Sequence, residues 1–431
     1  MKSLHLSLTG ILLTMLLGGC AGWGISPITP MPAPTETPTP TPEPTPTPTS
    51  TPLPGMIMLT LWVPDFLNPY EDATGAAVFH EQLAAFSVIQ PDIQVQIIVK
   101  KSTGTGGLYN MLSKAYDVAP SVVPDLIILN PYDLQTAAKA GYLRPININP
   151  LKAKEFFSFA WMPDSTITAT YGIPYVVQAD HTVYRQGVSA TPPFSWTDVL
   201  TNGYTLLFPA APTDGLANDA LLAAYLGVGG TVADESGRPK LDRQALEQVY
   251  RFFAEMKSRN LINTERALSL ADAGACWQTY QQDIGKLSVV PAGEYWANPP
   301  KGSLPGWMPT PTGQPIAIGH VWYMALVSRD PFRQKAALKL LEWLTAPEQI
   351  ADLTRATRLL PAQYDAITLW GMLPEQTTFL THLLESTVLS PPPAIDAPVR
   401  RALQAGLTAI LRGDVETPEE AATYALTNLR P

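Results

Sequence analysis

Aromatic, amide and carboxylate side chains, rather than nucleophiles or metal ligands, are the residues of this chain whose placement points to chemistry. Trp62 closes an apolar stretch at residues 58–63, and Asn130 and Tyr132 directly follow a second apolar run at 125–129. Trp277, Trp296, Trp307 and Trp322 fall close together among Gly and Pro, more rings than a small core needs. Trp296 and Trp322 read as walls of a binding site, with Trp277 a further candidate. Trp196 and Trp343 sit on helical patterns with apolar neighbours and read as core. Flat rings offer apolar walls while amides, phenols and carboxylates offer hydrogen bonds, so these side chains together could line a binding site.

Catalytic patterns are missing. His80, His181, His320 and His382 form no metal-ligand spacing, and the Glu81 beside His80 has no second His four residues on. There is no Gly-x-Ser-x-Gly elbow, and Cys276 has no paired signature. Gly104-Thr-Gly-Gly107 precedes a helical pattern but lacks the Lys-Ser/Thr of a phosphate loop, so it reads as a cleft-edge loop. A carboxylate pair at the spacing of a retaining glycosidase, about 5 Å, is a tertiary distance and stays open. No enzyme, cofactor or metal is expected.

The N-terminus decides where such a site works. Lys2 precedes a short apolar run at residues 6–17, and Leu17-Gly18-Gly19-Cys20 ends it. That is the layout of a secretory leader, too short for a comfortable membrane span. Residues 27–54 alternate Pro with Thr. Proline fixes φ and donates no hydrogen bond, so this segment reads as an extended polyproline stalk, roughly 85 Å long at about 3.1 Å per residue.

The chain from Gly55 onward is too long for one core and suits two lobes. A net charge of −9 without a basic run argues against nucleic acid and anionic membrane surfaces as partners. With Cys20 acylated, Cys276 stands alone and no intramolecular disulfide forms. Strand and helix patterns alternate from residue 58. Ile93, Val95, Ile97 and Val99 alternate with polar residues, a helix follows near 108–118, and 125–129 suits a central parallel strand. A helix at 131–140 is stopped by Gly141. This β-α-β-α-β-α order predicts a doubly wound parallel sheet. Farther on, 173–177 and 182–184 read as two strands. Helical patterns occupy 195–200, 216–227, 242–258 and 336–344, and a last apolar face carries Val399, Leu403, Leu407 and Ile410. Gly413 stops that helix, and Thr417-Pro418-Glu419-Glu420 is a capping box with Pro at the first helical position.

The order of these pieces resembles the extracellular solute-binding proteins of ABC importers, in the branch that includes maltodextrin- and other sugar-binding proteins. The resemblance rests on Leu59-Thr-Leu-Trp62, Gln90-Pro-Asp-Ile-Gln-Val95, Pro124-Asp-Leu-Ile-Ile-Leu129 and Ala140-Gly-Tyr-Leu-Arg-Pro145. It continues through Tyr171-Gly-Ile-Pro-Tyr-Val-Val-Gln178, Pro192-Pro-Phe-Ser-Trp-Thr-Asp-Val199, Ala336-Ala-Leu-Lys-Leu-Leu-Glu-Trp-Leu344, Leu360-Pro361 and Gly413-Asp-Val-Glu-Thr-Pro-Glu-Glu-Ala421. Leu-Gly-Gly-Cys likewise resembles a bacterial lipobox, which implies that Cys20 becomes a lipidated first residue after leader residues 1–19.

The resemblance implies a two-lobed α/β fold of the periplasmic-binding-protein type (type II) with a hinge. Lobe one would be residues 56–172 with 319–360, and lobe two 173–318 with 361–431; the lipidated Cys and stalk would occupy 20–55. Chain crossings are expected near 172–177, 314–319 and 360–362. The family places cleft contacts at the position of Trp62. It also carries an acidic sugar ligand at the position of Gln178, where this chain has an amide; Asp180 is the nearest carboxylate that could replace it. Residues 391–403 lack the stacking ring that maltodextrin binders offer there, which argues against maltodextrin itself.

The expected protein is a monomeric lipoprotein on the extracytoplasmic face of the cell membrane. It would capture a neutral solute, a carbohydrate above all, and deliver it to ABC permease subunits. Polyamine, osmolyte or peptide cargo is the alternative within the fold, and a surface sensor or hydrolase the alternative outside it. Neighbouring permease genes would favour import, a histidine kinase sensing, and substrate turnover an enzyme. For the anchor, Cys20→Ser is expected to leave an unprocessed precursor that takes up no labelled fatty acid in growing cells. Normal labelling of that variant would end the lipoprotein reading.

Overall fold

A computed structural model describes residues 55–71, 73–147, 155–161, 169–187 and 192–430; the leader, Cys20 and the Pro/Thr segment lie outside the described residues. The first three strands are β1 (Ile57–Pro64), β2 (Ile93–Lys100) and β3 (Leu126–Leu129). β1 runs parallel to both, in register from Ile57–Ile93 to Pro64–Lys100 and through Trp62–Ile127. All four residues of β3 are buried, which is why its sequence shows no polar alternation. Helices Thr74–Ile89, Leu108–Ala115 and Pro131–Lys139 follow these strands, as the β-α order predicts. Pro131 opens the third without wasting a donor, and Gly141, at φ +74°, turns the chain away after it.

The remaining strands are β4 (Gly172–Arg185), β5 (Leu206–Leu207), β6 (Leu287–Pro291), β7 (Ser303–Gly306), β8 (Ala317–Leu326), β9 (Leu360–Pro361) and β10 (Thr387–Leu389). Here the sheet departs from the parallel expectation. β8 pairs antiparallel with both β3 and β4, and the order among the described residues is β2-β1-β3-β8-β4-β6-β5. Where the sequence reads two strands, β4 is one of fourteen residues. Gln178, Asp180 and His181 interrupt its apolar pattern but not its ladder.

The first part of β4, through Ala179, pairs with β8 and β9. From Asp180 to Arg185 it pairs with β6 and β7 instead. Pro174 lies at a register shift between Pro174 and Val176, where a residue without an N–H costs least.

Two apolar cores flank this strand. One joins β1–β3 and β8 to the first part of β4 and to an aromatic group from Trp277 to Trp296. The other gathers helices Asp219–Gly227, Arg243–Ser258, Pro393–Arg412 and Pro418–Asn428. The last two end and begin as the sequence indicates, on Gly413 at φ +84° and on a Thr417–Glu420 capping box.

Asp125, 2% exposed, ties the first core together. Its carboxylate accepts from the Thr60 N–H at 2.8 Å and from Arg333 Nε and Nη2 at 2.8 and 2.5 Å. Strands β1 and β3 and the helix Pro331–Leu344 are thereby joined at one carboxylate. Asp125→Ala leaves a buried N–H and a guanidinium without an acceptor. It is expected to cost about 2–4 kcal/mol in urea unfolding, below a fully enclosed pair because 38% of the Arg333 side chain is exposed. A loss under about 1 kcal/mol would show the pair to be dispensable.

Candidate functional site

Ligands of open α/β sheets lie beyond the carboxyl ends of the strands, so the chemistry of interest starts where β1 and β3 end and β4 and β8 cross. Paired residues in a ladder share a face. Val176 pairs with Trp322 and Gln178 with His320, so these four and Asp180 occupy one face of the β4–β8 ribbon. Phe66, just past the end of β1, meets Trp322 edge-on with ring centroids 4.9 Å apart. Gln178 is exposed, and Asp180 and His320 are half-buried.

A charge network borders the same face. His320 Nε2 lies 2.9 Å from Asp219 Oδ2, and Asp219 Oδ1 accepts from Arg400 Nη2 at 2.7 Å. Arg400, 6% exposed, also donates to Asp396 at 2.7 Å, to the Ala217 carbonyl at 3.0 Å and to Ser390 Oγ at 3.3 Å. The Tyr132 hydroxyl donates to the Ser390 carbonyl, which links the helix after β3 to the segment after β10. Burial, aided by Asp396, pushes that hydroxyl up to about 12, so it remains a donor.

Burial works against the charge on Asp219, but His320 and Arg400 hold its carboxyl well below the usual carboxylate range. Asp219 in turn raises His320 against the burial that would lower it. Burial also raises Asp396, with Arg400 opposing. Asp180 faces this network without joining it. Burial first, then Asp219 and Asp272, push its carboxyl up to about 8, against the pull of His320 and Arg400.

The other sequence candidates lie elsewhere. Trp62, 3% exposed, is in register with Ile127, and Ile127 with Ala325. It therefore lies on the face opposite Trp322, with Lys100 Nζ 5.2 Å from its ring. Asn130 caps the helix Pro131–Lys139: its carbonyl oxygen accepts from the Tyr132 and Asp133 N–H groups, and its amide donates to Asp133. Trp296 packs with Tyr295, His181 and Phe379, and Trp277 with Tyr280 and Tyr295, in a buried aromatic group on the His181 side of β4. Trp307 stacks on Phe379 at 4.0 Å. Trp196, buried against Phe252, and Trp343, bonded to the Gln82 carbonyl, are packing residues. Burial raises the Cys276 thiol, which makes it inert.

Phe66, Asp219, His320, Asp396 and Arg400 were not among the sequence candidates. No local pattern marks them: Asp219 reads as a first-turn acid, and Arg400 sits inside an apolar helix face. The isolated Arg in that face was the one signal available. Among the described residues, no group of three or more His, Cys, Asp or Glu is placed to hold a metal ion, and no helix is long and apolar enough to cross a membrane.

The titration of Asp180 has a stability consequence. Its folded value of about 8 exceeds the ordinary 3.8, so its stabilising contribution is full below pH 3.8 and is lost as pH rises through 8. Buried His181, lowered to about 4 from 6.5, acts with the opposite sign and only below pH 6.5. Between pH 6.5 and 8, then, the wild type should lose about 1–2 kcal/mol relative to Asp180→Asn in urea unfolding. Parallel pH profiles for the two proteins would contradict this environment for Asp180.

A family model of bacterial extracellular solute-binding proteins matches residues 85–375, more than half of the chain. No curated protein sequence matches it. Among solved structures, the chain is similar to maltose-bound MalE3 of T. maritima, at 17% identity over 86% of this chain and 99% of that one, with a TM-score of 0.62. It is similar also to the cyclic α-maltosyl-1,6-maltose-binding protein of Arthrobacter globiformis, at 16% identity over 87% and 98%, TM-score 0.64. A third is an ABC transporter solute-binding protein from Thermotoga lettingae bound with α-D-tagatose, at 18% identity over 86% and 98%, TM-score 0.59. At such identities the likeness establishes the fold, a two-lobed α/β architecture. With the family match spanning most of both cores, the chain belongs to the bacterial extracellular solute-binding proteins.

Proposed function

We propose that this protein is a lipid-anchored receptor on the extracytoplasmic face of the membrane that captures a carbohydrate and presents it to an ABC permease. The observation that carries this reading is the composition of one ribbon face. The Phe66–Trp322 ring pair lies beside the exposed amide of Gln178, the His320–Asp219 pair and the Asp180 carboxyl. Rings for C–H faces and several fixed hydrogen-bonding groups for hydroxyls are what a saccharide requires. The maltose-bound and tagatose-bound structures and the cyclic α-maltosyl-1,6-maltose-binding protein among the similar structures support the same class of cargo.

Capture breaks no bond in this reading, and neither a cofactor nor a metal takes part. Lobe one would comprise residues 56–172 with 319–360, and lobe two 173–318 with 361–431. The β4–β8 crossing would be the hinge, and ligand binding would shift the lobes toward closure. Of the sequence candidates, Trp322, Gln178, Asp180 and Tyr132 fit this site best. Trp62, Trp277, Trp296 and Asn130 would support it through packing and capping. Cys20 would hold the monomer to the membrane by lipid alone, with the Pro/Thr segment as its stalk.

Thermal and urea unfolding of the soluble domain against mono- and disaccharides tests the reading. A cognate saccharide at a hundred times its Kd is expected to stabilise by about 2.7 kcal/mol. Silence across the saccharides, with a response to an amino acid or linear polyamine, would overturn it.

A further inference from the structure

Arg358 stands where the backbone favours another residue. It is the C-cap of helix Pro347–Thr357, in the left-handed region at φ +57° and ψ +36°. Glycine takes that conformation without strain, as Gly413 does at the end of helix Pro393–Arg412. The other non-glycine residues with positive φ among the described residues are Asp214, Asn260 and Asp283, whose short polar side chains tolerate it. Strain of this kind persists where the surrounding structure holds it in place, and such positions cluster at moving or binding parts of proteins.

The holding contact is visible. Arg358 Nη1 donates to Glu294 Oε2 at 2.8 Å, and Glu294 lies in the first turn of the short helix Ala292–Ala297. The backbones meet at the same place. A Cβ at position 293 would stand 1.9 Å from the Arg358 carbonyl oxygen and 2.4 Å from its carbon. Those are backbone atoms, so no rotamer change relieves the clash, and only glycine lets the two segments lie this close. The contact falls at the partner change on β4. Helix Ala292–Ala297 directly follows β6, whose Pro291 pairs with Asp180, and Arg358 precedes β9, whose Leu360 pairs with Val177. Helix Pro347–Thr357 is itself packed on helix Thr74–Ile89, with Gly75 against Thr357.

We infer that Arg358, Glu294 and Gly293 form a clasp that holds the two lobes in one relative position before a ligand arrives. The inference rests on the lobe division proposed above, in which Arg358 belongs to lobe one and Glu294 to lobe two, and not on the identity of the cargo. The ion pair is part-exposed, 61% for the Arg358 side chain and 34% for that of Glu294. It therefore biases the lobe equilibrium by a modest factor, about two- to fivefold, and salt weakens it. A bias of that size leaves the hinge free to move, while the backbone contact at Gly293 fixes the position from which it moves.

Double electron–electron resonance on the ligand-free, full-length protein in detergent tests this. Spin labels go on Ala84→Cys in helix Thr74–Ile89 and Gln244→Cys in helix Arg243–Ser258, both exposed positions. Cys20→Ser removes the other reactive thiol, and buried Cys276 takes no label. One dominant separation is expected for this parent protein. Arg358→Gly, which keeps the left-handed turn, and Glu294→Gln should each raise the share of a second separation about two- to fivefold. Raising salt from about 0.05 to about 1 M should do the same to the parent and nothing further to Arg358→Gly. Gly293→Ala, which wedges the backbones apart, should make the second separation the main one. Should that variant fail to fold by circular dichroism, the two side-chain variants and the salt series decide alone. A broad distribution in the parent, or unchanged separations in Arg358→Gly and Glu294→Gln, would overturn the clasp. Unchanged separations in a folded Gly293→Ala as well would overturn the lobe division, whereas the saccharide screen tests the cargo independently of either result.

Discussion

One strand carries two ladders, and the rest of the molecule hangs from it. β4 is paired to β8 on one stretch and to β6 and β7 on the next, with the change of partner at Ala179–Asp180. Its backbone N–H and C=O groups cannot be left unpaired in a buried strand, so the sheet portions on either side must be present for the strand to exist. The same requirement prevents the two cores from drifting apart. In the proposed reading this hydrogen-bonded ribbon is the hinge between the lobes.

Polar groups cluster at this crossing for a physical reason. The apolar cores lie to either side of the ribbon, and helices Asp219–Gly227 and Ala273–Gln281 pack against β8 and β6 with their N-termini capped by Asn218 and Asp272. Arg400 would be prohibitively expensive in such surroundings as a lone charge, but with Asp219 and Asp396 it forms a closed network. That network spans helices Asp219–Gly227 and Pro393–Arg412 and reaches β8 through His320, so it holds the polar edge of the second core against the crossing strand. Asp180, the carboxylate left outside, has no hydrogen-bond partner for its carboxyl among the described residues, and shares the face with the exposed amide of Gln178.

Sequence patterns lose their force in the same place. The short parallel strands, the cap at Asn130–Pro131, the stops at Gly141 and Gly413 and the capping box at Thr417 are all set by residues within one helical turn or one strand, and these were legible. The length of β4 was not, because Gln178, Asp180 and His181 look like the end of a strand when neighbours are unknown. The antiparallel β8 was also hidden, since strand direction depends on where the chain returns from and not on the residues in the strand.

By itself the sequence determined the first strands and helices, the helix caps and stops, and the resemblance to a family of two-lobed binding proteins. Those properties follow from local periodicity, capping chemistry and motif order. Only the tertiary structure decided which residues meet. It placed Trp62 and Trp322 on opposite faces of one sheet, through a ladder register that no short window encodes. It also brought Asp180, Asp219, His320 and Arg400 together from four separate elements. Burial and charge pairing are properties of that assembled neighbourhood, so the character of the site existed nowhere in the linear chain.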